Sequence, residues 1–206
     1  MTSVSIIGSG KMGAAIAEVA TRAGASVQIV KRSAQSPSAA RDGFEYGVMG
    51  DELTGDLVVL AVPYSAYAGI LEHYRDQLSA KVVIDISNPI DFSTYDELRS
   101  PADSSTAAEL AKMLPKGSAV VKAFNVNLGD TLVAGTNGTT VTTVLYAGDY
   151  ADAKEQVAAL IEAAGMRAVD AGMLTRAREL EAMGFLQIIM ASLGKTSYES
   201  GFTLLP

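Results

Sequence analysis

Gly8-Ser9-Gly10-Lys11-Met12-Gly13 sets three glycines in the spacing G-x-G-x-x-G. The chemistry of such a loop lies in its bare backbone. A first glycine permits a tight turn off a strand, and a second lets the main chain approach a pyrophosphate. A third allows the following helix to pack closely, with its N-terminal amides aimed at the phosphates. The flanking residues agree with this reading. The β-branched run Val4-Ser5-Ile6-Ile7 leads in, and Ala14, Ala15, Ile16, Ala17, Val19 and Ala20 lead out with helical periodicity. A second strand-like run, Ser26-Val27-Gln28-Ile29-Val30, follows. The expected ligand is therefore a dinucleotide, held by Gly8, Ser9, Gly10, Lys11, Met12 and Gly13.

The residues after that second run select among dinucleotides. An acidic residue about 20 positions past the glycines usually binds the ribose 2′-hydroxyl of NAD. This chain has Lys31-Arg32-Ser33 there, and no Asp or Glu between Glu18 and Asp42. Arg32 can grip a 2′-phosphate with its planar fork, and Lys31 adds a point charge. NADP(H) is the expected cofactor.

Ligands of an open α/β sheet bind beyond the carboxyl ends of its strands, where strand order reverses. Ala61-Val62-Pro63 ends one apolar strand-like run and should lie alongside the cofactor. Asn88-Pro89 and Ala123-Phe124-Asn125 end two more, where the nicotinamide should lie. Asn125 could bond a carboxamide or a ribose hydroxyl.

No convincing acid or base accompanies them, and no catalytic side chain is assigned. His73 stands among charged neighbours and reads as a surface residue. Tyr150 and Lys154 match Y-x-x-x-K, but they open a late helix, where a surface i,i+4 pair explains them. Asp85 lies in an apolar run, as a hydrogen-bonded carboxylate or a neutralised one. Lys122, at an interior strand position, either faces solvent or approaches the substrate, and the solvent-facing reading is preferred. Carbonyl reduction needs a proton donor, whereas hydride exchange between two ring systems needs chiefly alignment.

The elements that must position these residues alternate between strand and helix. The pattern predicts an α/β fold of the Rossmann type, a doubly wound parallel sheet. Strands are expected over residues 44–48, 56–63, 82–86, 119–124 and 166–170, with a β-rich run over 140–146. Helices are expected over 64–78, 106–114, 150–164 and 174–193. Gly129 to Thr139 reads as a loop or hairpin, and Phe202 to Leu205 is too apolar for a free tail.

Composition narrows the class further. The chain has 206 residues, 49% of them hydrophobic, with a net charge of −7 that argues against nucleic acid. It has no cysteine and one histidine, so thiolate and multi-histidine metal centres are excluded and no metal ligands are assigned. The start lacks a signal-peptide pattern, and the longest charge-free apolar stretch, Leu57 to Leu71, is short for a membrane helix and contains Pro63. A soluble cytoplasmic protein without membrane partners is expected.

Five blocks then occur in order: the glycine loop, Ala61-Val62-Pro63-Tyr64, Asp85-Ile86-Ser87-Asn88-Pro89, Val121-Lys122-Ala123-Phe124-Asn125, and Asp170-Ala171-Gly172 running on to Leu174, Ala177-Arg178, Leu180 and Glu181. Together they resemble NADPH-dependent oxidoreductases of the coenzyme F-420 (deazaflavin) reductase family, a domain type also found in the cytosolic part of membrane ferric reductases. The resemblance implies a Rossmann domain over residues 1–128, a small C-terminal α/β lobe over 129–206 that completes an acceptor cleft, and a homodimer. It implies NADPH as hydride donor to a small-molecule ring acceptor: F-420, a flavin, a quinone or a ferric chelate. Two alternatives stay open. One is β-hydroxyacid dehydrogenase or imine reductase-like chemistry, whose long helical substrate domain the segment after Asn125 cannot easily build. The other is a non-catalytic NADP-sensing module.

Overall fold

The computed structural model describes residues 2–34, 43–91 and 93–204. The polar stretch after Ser33, and Leu205, lie partly or wholly outside them.

The first strand, β1 (Ser3–Ile7), runs into helix α1 (Lys11–Arg22) and on to β2 (Ser26–Lys31) and β3 (Glu45–Val48). Then β4 (Leu57–Leu60) leads through a 3-10 turn into α2 (Tyr67–Tyr74), followed by β5 (Val82–Asp85), α3 (Thr106–Met113) and β6 (Ala119–Ala123). The remainder holds α4 (Gly129–Ala134), a small hairpin β7–β8 (Thr136–Asn137 and Thr140–Val141), β9 (Thr143–Gly148), α5 (Ala151–Ala163), β10 (Arg167–Asp170) and α6 (Ala177–Ser192). The segment read as loop or hairpin thus begins as a helix, which ends at Gly135 in the left-handed conformation (φ 69°).

Eight strands form one sheet in the order β10-β9-β6-β5-β4-β1-β2-β3. All pairs are parallel except β6 with β9. The doubly wound fold read from the sequence is therefore present. Strand order reverses between β1 and β4, which makes that gap the crevice for a ligand. The C-terminal segment adds β9 and β10 to the same sheet, so the predicted portions 1–128 and 129–206 share one hydrogen-bonded layer.

Both sheet faces are covered, which explains the unbroken apolar strands. Along β4, Leu57 and Val59 join one core with Ile16 and Val19 of α1, and Val157 and Ile161 of α5. Val58 and Leu60 face the opposite core with Tyr67, Ile70 and Tyr74 of α2 and Leu110 of α3. Each such fully buried side chain is worth roughly 1.5–3 kcal/mol. The C-terminal segment packs on the body as its composition suggested. Phe202 leans on the small core of Val126, Ala147 and Leu180, and Asn137 Nδ2 donates to the Gly201 carbonyl (2.5 Å) and to Thr203 Oγ1 (2.8 Å).

Candidate active site

The strands at the reversal open onto a cleft of about 530 Å³. Its walls include Gly8, Ser9, Gly10, Arg32, Ala61, Val62 and Pro63. Backbone bonds set this mouth: Gly8 N donates to Val30 O and Ala61 N to Ile7 O, both at 2.9 Å.

Each glycine of the loop has a distinct reason to be there. Gly8 sits at φ 118°, and a Cβ on it would stand 2.3 Å from the Ala61 carbonyl oxygen. A Cβ on Gly13 would stand 2.2 Å from the Gly8 carbonyl oxygen, so α1 can dock on the loop only without one. At Gly10 a Cβ would meet no atom within 4 Å. Its bareness is not required by the chain's own packing, and its backbone lies in the wall of the cleft. Gly10 also caps α1, with no side-chain cap bond and no acidic residue in the first turn. The helix start is thus open to an anion. These features fit a dinucleotide pyrophosphate.

The other loop residues point elsewhere. Lys11 Nζ pairs with Asp130 Oδ2 at 2.7 Å, tying α1 to the start of α4, and Met12 leans on the core. Arg32 borders the cleft, whereas the Lys31 ammonium lies 5.5 Å over the centre of the Tyr46 ring. Ser33 directly follows Arg32 but does not border the cleft.

A second cavity, of about 290 Å³, adjoins the first and shares Pro63 and Ser65 with it. Asn88 and Pro89 line it, with Tyr64, Ile90, Asp91 and Arg99. Ala123 and Phe124 are fully buried and border neither cavity; Phe124 takes a left-handed turn (φ 61°) that swings the chain off β6. Asn125 is likewise buried. Its Nδ2 donates to Asn88 Oδ1 and to the Leu180 carbonyl, both at 2.8 Å, and its carbonyl accepts from Asn88 Nδ2 at 2.7 Å. The two asparagines form a reciprocal clamp against α6, and Asn88 carries the clamp to the cavity wall.

Titratable groups of the second cavity are all driven away from neutrality. Bonds from Ser93 and Arg99 hold the Asp91 carboxyl well below the usual carboxylate range. Arg99 is held still more firmly protonated by Asp91. Burial, then the charges of Glu109, Glu181 and Asp85, push the Tyr64 hydroxyl up. At neutral pH these shifts keep Asp91 a carboxylate, Arg99 a cation and Tyr64 a protonated phenol.

Some residues differ from their sequence reading. His73 is exposed as expected, but it borders the first cleft beside Gly69 and Ile70 of α2. The signal was available: α2 begins just past the end of β4, where strand-end loops meet ligand. Arg99 and Asp91 had no such signal, since they lie in an irregular connection. Lys154 pairs with Asp170 across to β10 (2.8 Å), and Tyr150 is well exposed, which removes them from the site. Lys122 does not face solvent. It is fully buried, 3.1 Å from Asp85 Oδ2 and 2.9 Å from Glu181 Oε1. Asp85 is a buried carboxylate hydrogen-bonded by Tyr67, Ser87 and Lys122. Burial pushes its pKa up, but the Lys122 charge and bonds from Tyr67 and Ser87 outweigh that and hold it below its ordinary value.

Comparison with known proteins agrees with this architecture. Residues 3–89 match the family model described as NADP oxidoreductase coenzyme F420-dependent. The F420-dependent NADP reductase of Methanocaldococcus jannaschii is 30% identical over 133 residues, covering 63% of this chain and 59% of that protein. Metalloreductase STEAP3 of Rattus norvegicus is 31% identical over 185 residues, covering 87% of this chain and 36% of that protein. The chain thus spans less than two thirds of either relative. A crystal structure from Arthrobacter sp. FB24, provisionally described as an F420-dependent NADP-reductase, superposes with a TM-score of 0.86 at 24% identity, covering 98% of this chain and 99% of that one. The chain is thus similar over residues 3–89 to the NADP oxidoreductases described as coenzyme F420-dependent, and the relatives extend that similarity beyond the matched residues.

Proposed function

We propose that the protein is an NADP(H)-dependent oxidoreductase that passes a hydride between NADPH and a ring acceptor, the deazaflavin F-420, a flavin or a quinone, or passes the same two electrons singly to two ferric chelates with release of a proton. The observation that carries this is the joined pair of cavities at the strand reversal. One bears the bare Gly10 backbone and Arg32, and the other adjoins it through Pro63 and Ser65. Gly8, Ser9, Gly10 and the start of α1 hold the pyrophosphate, with Lys11, Met12 and Gly13 shaping that turn. Arg32 takes the 2′-phosphate, with Lys31 and Ser33 beside it. The bound nicotinamide supplies the hydride. Pro63, Asn88 and Pro89 bound the space where the acceptor ring aligns with it, while Ala123, Phe124 and Asn125 support that wall from behind. Alignment and exclusion of water then supply most of the rate enhancement.

The homodimer and the acceptor-completing role of residues 129–206 belong to this proposal. Leu186 on α6 and Leu193 just past its end are more than half exposed, an apolar surface suited to a second subunit. Among the described residues, no helix is long and apolar enough to cross a membrane, and no cluster of three or more acidic, cysteine or histidine side chains could hold a metal.

Anaerobic mixing of protein, NADPH and oxidised F-420 or a flavin tests the proposal by absorbance. The expected result is bleaching of a ring acceptor with NADPH and much less with NADH. Arg32→Ala should weaken NADPH at least tenfold and NADH by less than twofold. Absence of micromolar NADPH binding would overturn the proposal.

A further inference from the structure

Among the described residues, five of the eight that line the second cavity, Asn88, Pro89, Ile90, Asp91 and Arg99, come from the single connection between Ser87 and Thr106. None of the described residues lining the dinucleotide cleft does. That connection is mostly irregular, so little regular secondary structure holds its shape. Its two ends meet instead on one buried ammonium.

Lys122 Nζ has three hydrogens and three strong acceptors: the Ser87 carbonyl at 2.5 Å, Glu181 Oε1 at 2.9 Å and Asp85 Oδ2 at 3.1 Å. Thr106 Oγ1 lies 3.2 Å away, and it meets Ser87 Oγ at 2.8 Å, joining the start of the connection to its end. Glu181 fastens the same point to α6. Its Oε1 accepts from Thr106 Oγ1 at 2.5 Å and its Oε2 from Thr106 N at 3.1 Å, at the start of α3. Asp85 is held from the other side by Tyr67 Oη at 2.5 Å and Ser87 N at 2.8 Å. Lys122, Asp85 and Thr106 are wholly buried and Glu181 is 1% exposed. A charge cluster removed from water this completely is weak as a source of stability but strict in geometry, because every member loses much when one partner moves.

We propose that Lys122 is a positioning residue for the acceptor site: it clamps both ends of the Ser87–Thr106 connection to each other and to α6, and so fixes the wall formed by Asn88 to Asp91. The assignment of that wall to the acceptor rests on the function proposed above; the clamp itself does not.

Two measurements on the full chain separate these statements. The first is amide hydrogen exchange of ligand-free Lys122→Met and of Thr106→Val, the second variant removing the hydroxyl link without touching a charge. Exchange is expected to rise at least tenfold in peptides between residues 88 and 105, with the Gly8–Gly13 loop unchanged. Unchanged exchange there, or a rise spread evenly over the sheet, would overturn the clamp. The second measurement compares NADPH affinity with acceptor kinetics. NADPH dissociation constants should stay within twofold of wild type while kcat/KM for the acceptor falls at least tenfold, chiefly through KM. Parallel weakening of both ligands would overturn the positioning role. If wild type reduces no ring acceptor and no ferric chelate, the proposed function fails, and the exchange data still decide the clamp.

Discussion

At the scale of single residues, the three loop glycines separate two kinds of constraint. Gly8 and Gly13 are enclosed by the protein's own backbone, so a methyl group at either forces the chain apart. Gly10 is bounded by nothing of the chain itself, and its φ of −75° is open to any L-residue. Gly10→Ala should therefore change stability by less than about 1 kcal/mol while weakening NADPH at least tenfold. Gly13→Ala should destabilise by about 1–3 kcal/mol, as overpacking does. Urea midpoints and NADPH fluorescence titrations on the two variants check the contrast. A Gly10→Ala protein that bound NADPH normally would contradict the approach of a ligand to that backbone. G-x-G-x-x-G announced all three positions, but it could not say which neighbour each glycine avoids.

At the scale of elements, α6 is the surprise. Its sequence carries Arg178, Glu179 and Glu181 near the start and an apolar second half. In the fold its first half is an anchor. Glu181 enters the buried cluster, Leu180 accepts from Asn125, and Gly184 lies under the Asn88 amide. A Cβ at Gly184 would stand 2.5 Å from Asn88 Oδ1 and 2.7 Å from the Asn125 carbonyl oxygen. The backbone carbonyl cannot give way as a flexible side chain does. Gly184→Ala is thus expected to lift α6 from the strand ends and to destabilise the protein by about 1–3 kcal/mol. It should disturb the acceptor side more than the dinucleotide side. Thermal melts and NADPH titration of this variant give the answer, and an unshifted melting temperature would count against the tight seat of α6.

At the scale of the whole molecule, a single sheet unites what the sequence divides. With β9 antiparallel to β6 and β10 beside it, the C-terminal segment covers an edge that the parallel strands would leave open. Its α5 also packs on the core shared with α1. The buried cluster lies between this segment and the parallel strands, so its protonation should be felt globally. Asp85 has a lowered pKa in the fold, so its contribution is fully present above the unfolded carboxylate value, about 3.9. That contribution is lost as pH falls through the folded value. Stability followed by urea denaturation should therefore hold from neutral pH to about 4 and decline below it. A curve that already falls steeply between pH 7 and 5 would contradict an ionised, well-paired Asp85.

The features carried by local pattern were legible in the chain before any coordinates. The apolar strands, the helical periods, the glycine loop and the missing acid after β2 each depend on residues close in sequence. They predicted the doubly wound sheet and the place of the cleft. Partnership between distant residues was not legible. Lys122 read as a strand lysine that faces solvent or approaches the substrate, because nothing near it in sequence shows that Asp85, Thr106 and Glu181 converge on its ammonium. Asn125 looked like a ligand contact, and the fold uses its amide to join Asn88 to Leu180. Hydrophobic periodicity is a property of neighbours, whereas the satisfaction of a buried charge depends on which segments the fold brings within about 3 Å of one another.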